Sequence, residues 1–158
     1  MNIRVGFGYY VHAFATEREL WLGGVKFDYP HGLMGHSDAD VLIHALCDAL
    51  LGAANLRDIG FHFPDTAADF KNIDSKILLK DVMSLLREKG WSFGNADCTL
   101  VAEQPKMNPR IPDMQLTLAE VMEVESDTIS IKASTNEKLG FLGRQEGIVA
   151  YATVLIYK

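Results

Sequence analysis

Histidines, carboxylates and hydroxyls mark the positions of this chain where chemistry is possible. Asp40, His44 and Asp48 stand four residues apart, the interval that stacks side chains on one face of a helix. His36 and Ser37 lie just ahead of them, where the unpaired N–H groups at a helix N-terminus favour an anion. This set reads as a metal-binding His44, oriented by Asp40 or Asp48, beside an anion site. It reads equally as a solvated face or as a core histidine held by neighbouring carboxylates. His12, placed just beyond a strand end, can join His44 on a zinc ion that keeps a position open for substrate. The segment Ser134 to Gly147 offers a second kind of chemistry. Hydroxyls of Ser134 and Thr135 can donate to phosphate oxygens, Glu137 can hold a hard divalent cation, and Lys138 and Arg144 offset anionic charge. A glycine-rich hairpin with solvated charges fits the same residues, and the Walker order of glycines and lysine is absent. No Ser/His/Asp or Cys/His triad pattern stands out.

The elements that must carry these groups are legible from periodicity. Val41, Leu42, Ala45, Leu46, Ala49, Leu50 and Ala53 wrap an apolar surface round a helix capped by Ser37 or Asp38, which predicts a buried helix. Asn2 to Gly6 alternates like a strand, and Gly6 and Gly8 predict a sharp turn before Tyr9. Two short strands flank Gly23-Gly24. Asn55 to Thr66 has no period and reads as a loop that binds or covers something. Asp74 to Gly90 predicts a helix with Ile77, Leu78, Val82, Leu85 and Leu86 facing the core. Ser92 to Glu103 alternates and then breaks at Gln104-Pro105-Lys106-Met107. Pro112 suits the first turn of a helix through Met122, and strands follow at Ile129 to Ala133 and Ile148 to Tyr157. The mixture lacks strict βαβ alternation. It predicts an α+β fold, helices packed on one face of a mixed β-sheet.

Composition narrows the partners. With 158 residues and 48% hydrophobic content the chain can bury one full core, and no low-complexity segment divides it, so a single domain over residues 1–158 is expected. A net charge of −6 and a pI near 5.3 argue against nucleic acid or an anionic membrane as partner. Cys47 and Cys98 have no Cys-x-x-Cys spacing, which fits buried thiols in a reducing compartment. No apolar run is long enough to span a bilayer, and the cytoplasm is the expected location.

Read together in order, seven blocks carry a resemblance. They are Val11–Phe14, His36–His44, Asp48–Ala54, Asp58–Gly60, Phe63–Asp65, Pro105–Met107, and Glu137–Phe141 with Gly143-Arg144. This succession closely resembles the 2-C-methyl-D-erythritol 2,4-cyclodiphosphate synthases of the non-mevalonate isoprenoid pathway, over nearly the whole chain. The resemblance implies a homotrimer with active sites between adjacent subunits. It implies an enzyme, a phosphorus–oxygen lyase. In 4-diphosphocytidyl-2-C-methyl-D-erythritol 2-phosphate, the 2-phosphate attacks the β-phosphorus of the cytidine diphosphate group and CMP leaves. It further implies zinc on His12 and His44, and magnesium or manganese on Glu137. His36 and Thr135 match positions that steady the transition state. Ser37, Asp58, Ile59, Gly60, Phe63, Pro64 and Asp65 match the part that holds methylerythritol and ribose. Ala102, Lys106 and Met107, with Ala133, match the cytosine and diphosphate pocket; His12, Ser134 and Lys138 count among the substrate-binding positions too, and Phe141 and Arg144 fall where the family closes substrate contacts and lines a cavity near the three-fold axis.

One position departs from that pattern. The family's first block is Gly-(aromatic)-Asp-x-His, its aspartate a third zinc ligand, whereas this chain has Gly8-Tyr9-Tyr10-Val11-His12. A phenol with a pKa near ~10 is protonated at neutral pH and a poor zinc ligand. Weaker zinc binding is therefore expected. The alternative to the synthase is a catalytically impaired trimer that binds cytidine nucleotide or an isoprenoid ligand.

Overall fold

A computed structural model describes residues 1–66 and 68–158. Its centre is a five-stranded mixed sheet in the order β4-β1-β7-β5-β6, formed by β1 (Ile3–Ala15), β4 (Gly32–Leu33), β5 (Ser92–Val101), β6 (Ile129–Ser134) and β7 (Gly147–Tyr157). The pairings β1–β7 and β5–β7 are antiparallel and β5–β6 is parallel. The last strand therefore occupies the middle of the sheet rather than its edge. A separate hairpin joins β2 (Leu20–Leu22) and β3 (Val25–Phe27) across Gly23-Gly24, both of which have positive φ. Helices α1 (Val41–Ala53), α3 (Ser75–Glu88) and α4 (Ile111–Met122) supply the other layer, with one-turn helices α2 (Ile59–His62) and α5 (Gly140–Gly143) at the periphery. Both thiols, Cys47 and Cys98, are buried and free. Among the described residues no helix is long and apolar enough to cross a membrane.

The buried helix is where its periodicity places it, but its cap is not Ser37 or Asp38. Asp40 is the N-cap and accepts from the Ile43 amide. The same carboxylate, fully buried, also accepts from the Gly23 and Gly24 amides at 2.9 and 2.7 Å, which ties the β2–β3 hairpin to the start of α1. Burial, and then the charge of Asp38, push its pKa up to about 6, against the opposing pull of those three amides.

Strand β1 corrects a second expectation. It runs unbroken past Gly6 and Gly8, so His12 lies inside the strand, paired with Ile148. The glycines serve packing instead. A Cβ at Gly6 or Gly8 would stand 1.9 Å from the backbone oxygen of Ala49 or Ala45 respectively, so α1 lies directly on the strand there. With the period of two, Gly6, Gly8, Tyr10 and His12 share the helix-facing side. Where the glycines end, the rings of Tyr10 and His12 occupy the space under α1 and meet His44. On the opposite face Ile3, Val5, Phe7, Tyr9 and Val11 are exposed, with Tyr151 and Tyr157 of β7 beside them. Ile77 is also exposed, at 50%, whereas Leu78, Val82 and Leu86 of α3 are buried as expected.

Candidate functional site

Two cavities contain most of the chemistry-bearing residues. The first, about 520 Å³, lies between the end of β1, the segment leading into α1, and the region around α2. Its wall includes Tyr10, His12, His36, Ser37, His44, Ile59, Gly60, Phe63, Pro64 and Asp65. The second, about 330 Å³, lies where β5 and β6 end, and is lined by Ala102, Glu103, Lys106, Met107, Ala133, Ser134 and Thr135, among others. Among the described residues the two share none. Asp58 lines neither; it caps α2 by accepting from the Phe61 amide at 2.9 Å. Glu137, Lys138, Phe141 and Arg144 are exposed and also lie outside both walls, and Arg144 pairs with Glu146.

In the first cavity His12 Nε2 and His44 Nδ1 stand 3.1 Å apart. The carboxylates expected to orient His44 do other work: Asp40 caps α1, and Asp48 accepts from the Ile59 amide. His44 is instead held through its other nitrogen, with Nε2 at 3.0 Å from Ser75 Oγ and 3.2 Å from Ser37 Oγ. The Ser75 hydroxyl donates to Asp38 Oδ1 at 2.5 Å, so towards His44 it can only accept. That places the His44 hydrogen on Nε2 and leaves the Nδ1 lone pair facing His12. A backbone hydrogen bond to Met34 favours the charged form of His12. At 3.1 Å His12 Nε2 can donate to that lone pair of His44, and with the hydrogen on its other nitrogen the two lone pairs would face a shared cation.

Burial, aided by the charge of Arg18, lowers the pKa of His12, while burial and then His12 lower that of His44 to about 3. Arg18 also donates to the carbonyls of Gly35 and Ser37, at 2.8 and 2.5 Å, and so fixes the segment that carries His36.

The two imidazole nitrogens fit adjacent corners of a tetrahedral zinc site, where metal–nitrogen bonds of about 2.0–2.1 Å are usual. The third corner does not fit. The Tyr10 ring lies 5.6 Å from the His12 ring and 5.1 Å, edge-on, from the His44 ring. Burial, then the charge of Asp48 and further carboxylates, push its phenol up to about 12, so it keeps its proton. Among the described residues no group of three or more His, Cys, Asp or Glu side chains is placed to hold a metal ion. The described residues therefore place two zinc donors here, not three.

Around the second cavity, Glu137 and Lys138 have left-handed φ values of 51° and 62°. The Glu103 carboxylate steadies this turn, one oxygen accepting from the amides of Asn136 and Lys138 at 3.1 and 3.0 Å. Thr135 Oγ1 lies 3.4 Å from Glu137 Oε1. Sequence reasoning overlooked Glu103, Arg18 and Ser75. Only Glu103, a carboxylate at a strand end before the Gln-Pro break, carried any local signal.

The fold and site define an α+β, mixed-sheet domain with an imidazole pair in one cavity and a hydroxyl- and charge-bearing loop beside another. The chain belongs to the YgbB family, whose model matches residues 3–157. It is 70% identical over 158 residues to the 2-C-methyl-D-erythritol 2,4-cyclodiphosphate synthase of Parabacteroides distasonis, spanning 100% of this chain and 98% of that relative. Among solved structures it is similar to the bifunctional IspDF of Campylobacter jejuni, with 42% identity and a TM-score of 0.95. That match takes in 98% of this chain and 42% of the bifunctional one. It is also similar to the CDP complex of Plasmodium falciparum IspF, at 32% identity and a TM-score of 0.87, over 98% of this chain and 96% of the other.

Proposed function

We propose that this chain closes the ring of 2-C-methyl-D-erythritol 2,4-cyclodiphosphate. An oxygen of the substrate's 2-phosphate forms a bond to the β-phosphorus of its cytidine diphosphate group. The bond from that phosphorus to the bridging oxygen breaks, and its electron pair leaves with CMP. No water is consumed. The observation that carries this reading is the end-to-end match at 70% identity to a synthase so named.

The chain's own residues have definable tasks in such a reaction. Thr135 and Ser134 hydroxyls and Lys106 border the second cavity, where they suit a diphosphate whose charge grows on the leaving side. His36 and Ser37, held by Arg18, face the first cavity and suit the methylerythritol phosphate. Both cavities are needed to hold such a substrate, yet they are separate in one chain. We therefore place the complete site between adjacent copies of a homotrimer, with the apolar β1–β7 face covered by neighbouring subunits. Glu137, a single exposed carboxylate beside a hydroxyl, suits magnesium or manganese, which needs few protein ligands and would neutralise charge on the phosphates. A cytoplasmic location fits this chemistry and the two free thiols.

The test is CMP release from the cytidylyl substrate with zinc and magnesium supplied. Release with the cyclic diphosphate as co-product is expected. A second reading is favoured by Tyr10: a trimer that binds cytidine nucleotide with little turnover. CDP binding without CMP release would put that reading in first place.

Glu103 gives this reading a local check. Glu103→Ala leaves the Asn136 and Lys138 amides without their acceptor, and should weaken CDP binding by about 10-fold, the scale of a charge-assisted hydrogen bond. Glu103→Gln keeps a carbonyl oxygen and should recover most of the loss. Calorimetric titration with CDP reads both.

A further inference from the structure

We infer that Arg18 is a positioning residue for ring closure: from outside the first cavity, its guanidinium fork sets the backbone that aims His36 and Ser37 into it. This rests on the ring-closure reading above and on the task it gives those two residues.

Residues 34–40, between β4 and α1, belong to no helix or strand, and Ala39 there has a left-handed φ of 59°. The shape of such a segment depends on the individual groups bonded to it. Three consecutive carbonyls each have a donor: Arg18 Nη1 on Gly35 at 2.8 Å, the Asn72 amide on His36 at 2.7 Å, and Arg18 Nη2 on Ser37 at 2.5 Å. The fork therefore holds the peptide before His36 and the peptide after Ser37, and so brackets the two side chains that face the first cavity. Arg18 itself lines another cavity, of about 290 Å³, with Glu19, Trp21, Asp38 and Asn72; among the described residues Ser37 alone is in both walls. The clamp is anchored in turn. A Cβ at Gly32 of β4 would stand 2.7 Å from the Arg18 Cβ and 2.3 Å from the Glu19 carbonyl oxygen, so strand and clamp lie in close contact. The β2–β3 hairpin, which starts two residues after Arg18, is tied to α1 through Asp40. A misplacement of about 1 Å can cost about 100-fold in rate even when its source is far from the chemistry, and that is the scale of displacement open to an unclamped His36.

The experiment follows CMP release by the unaltered chain and by Arg18 variants, with zinc and magnesium supplied. Arg18→Ala should lower kcat by about 100-fold with a much smaller change in KM. A rate equal to that of the unaltered chain would overturn the inference. Arg18→Lys keeps the charge but puts one nitrogen where the fork put two, and should recover little; full recovery would mean that charge alone matters and would overturn the clamp. Methylguanidine, entering through the outer cavity, should restore part of the Arg18→Ala rate, and no restoration at saturation would count against the clamp in the same way. In a His36→Ala background Arg18→Ala should cost far less, because the side chain it aims is gone; losses that multiply would overturn the inference. The ring-proton NMR resonance of His36 reads its placement without turnover. Arg18→Ala should shift or broaden it, and methylguanidine should return it. No CMP release from the unaltered chain would overturn the ring-closure reading; a His36 resonance that answers to methylguanidine would then still support the clamp, and one unmoved by Arg18→Ala would overturn it. Should Arg18→Ala not fold, Arg18→Gln, whose one amide nitrogen cannot span both carbonyls, takes its place with the same expected loss and the same test against His36→Ala.

Discussion

Tyr10→Asp is expected to raise the rate of CMP release by roughly 100-fold at zinc concentrations that leave the unaltered chain mostly unloaded. Losses of 10–100-fold follow even from disturbing groups behind a metal ligand, and restoring a ligand itself stands at the upper end of that range. The change removes a phenol that keeps its proton and supplies a carboxylate next to His12 and His44. The advantage should shrink as zinc is raised, because mass action would fill a two-imidazole site. CMP release measured against zinc for both proteins gives two curves. Curves that coincide at every zinc concentration would mean that Tyr10 does not limit the site.

Much of this architecture is legible in the sequence because periodicity is a local property. The apolar wrap from Val41 to Ala53, the alternation of Ser92 to Glu103, of which the strand takes Ser92–Val101, and the cap at Asp74 each report an element the structure contains. The misreadings share a cause. The backbone freedom of glycine suggests a turn at Gly6 and Gly8, whereas what matters is the side chain each lacks, a fact about α1 some forty residues away. Ile77 fits an apolar helical face, but half of its surface stays exposed.

The site shows the same division. The motif blocks pointed to His12, His36, Ser37 and His44, and one cavity collects them. They could not show that Ala102, Lys106 and Thr135 line a different cavity, since chain order carries no record of which ends of a sheet face apart. The group behind His44 was equally hidden. Asp40 and Asp48 have the helical spacing to reach it, yet each is claimed by amides, and the group that orients the ring is Ser75, thirty-one residues on, backed by Asp38. Spacing identifies which side chains share a face; competition among donors and acceptors decides which of them are available.

Gly8→Ala is expected to cost about 3 kcal/mol or more of stability, a large loss for one methyl group. The added Cβ would stand 1.9 Å from the Ala45 carbonyl oxygen and 2.9 Å from the Ala49 amide nitrogen, both backbone atoms of α1. No rotamer change relieves a clash with backbone, so the helix and strand must separate, and overpacking of this kind costs about 1–3 kcal/mol even where side chains yield. Separation also undoes the layer that α1 forms with β1, including the placement of His44 against His12. The midpoint of thermal unfolding should fall by about 6–12 °C, measured at one fixed chain concentration because assembly would otherwise shift it. Gly52→Ala in the same helix is the counterpart. Gly52 is exposed, a Cβ there meets nothing within 4 Å, and alanine is the better helix former by about 1 kcal/mol, so this change should stabilise. Opposite signs for the same substitution, on a strand and on the helix above it, would trace the effect to the strand–helix contact rather than to glycine itself. A loss at Gly8 under about 1 kcal/mol would mean that α1 can ride away from β1 cheaply, and that His44 is not held against His12 by packing.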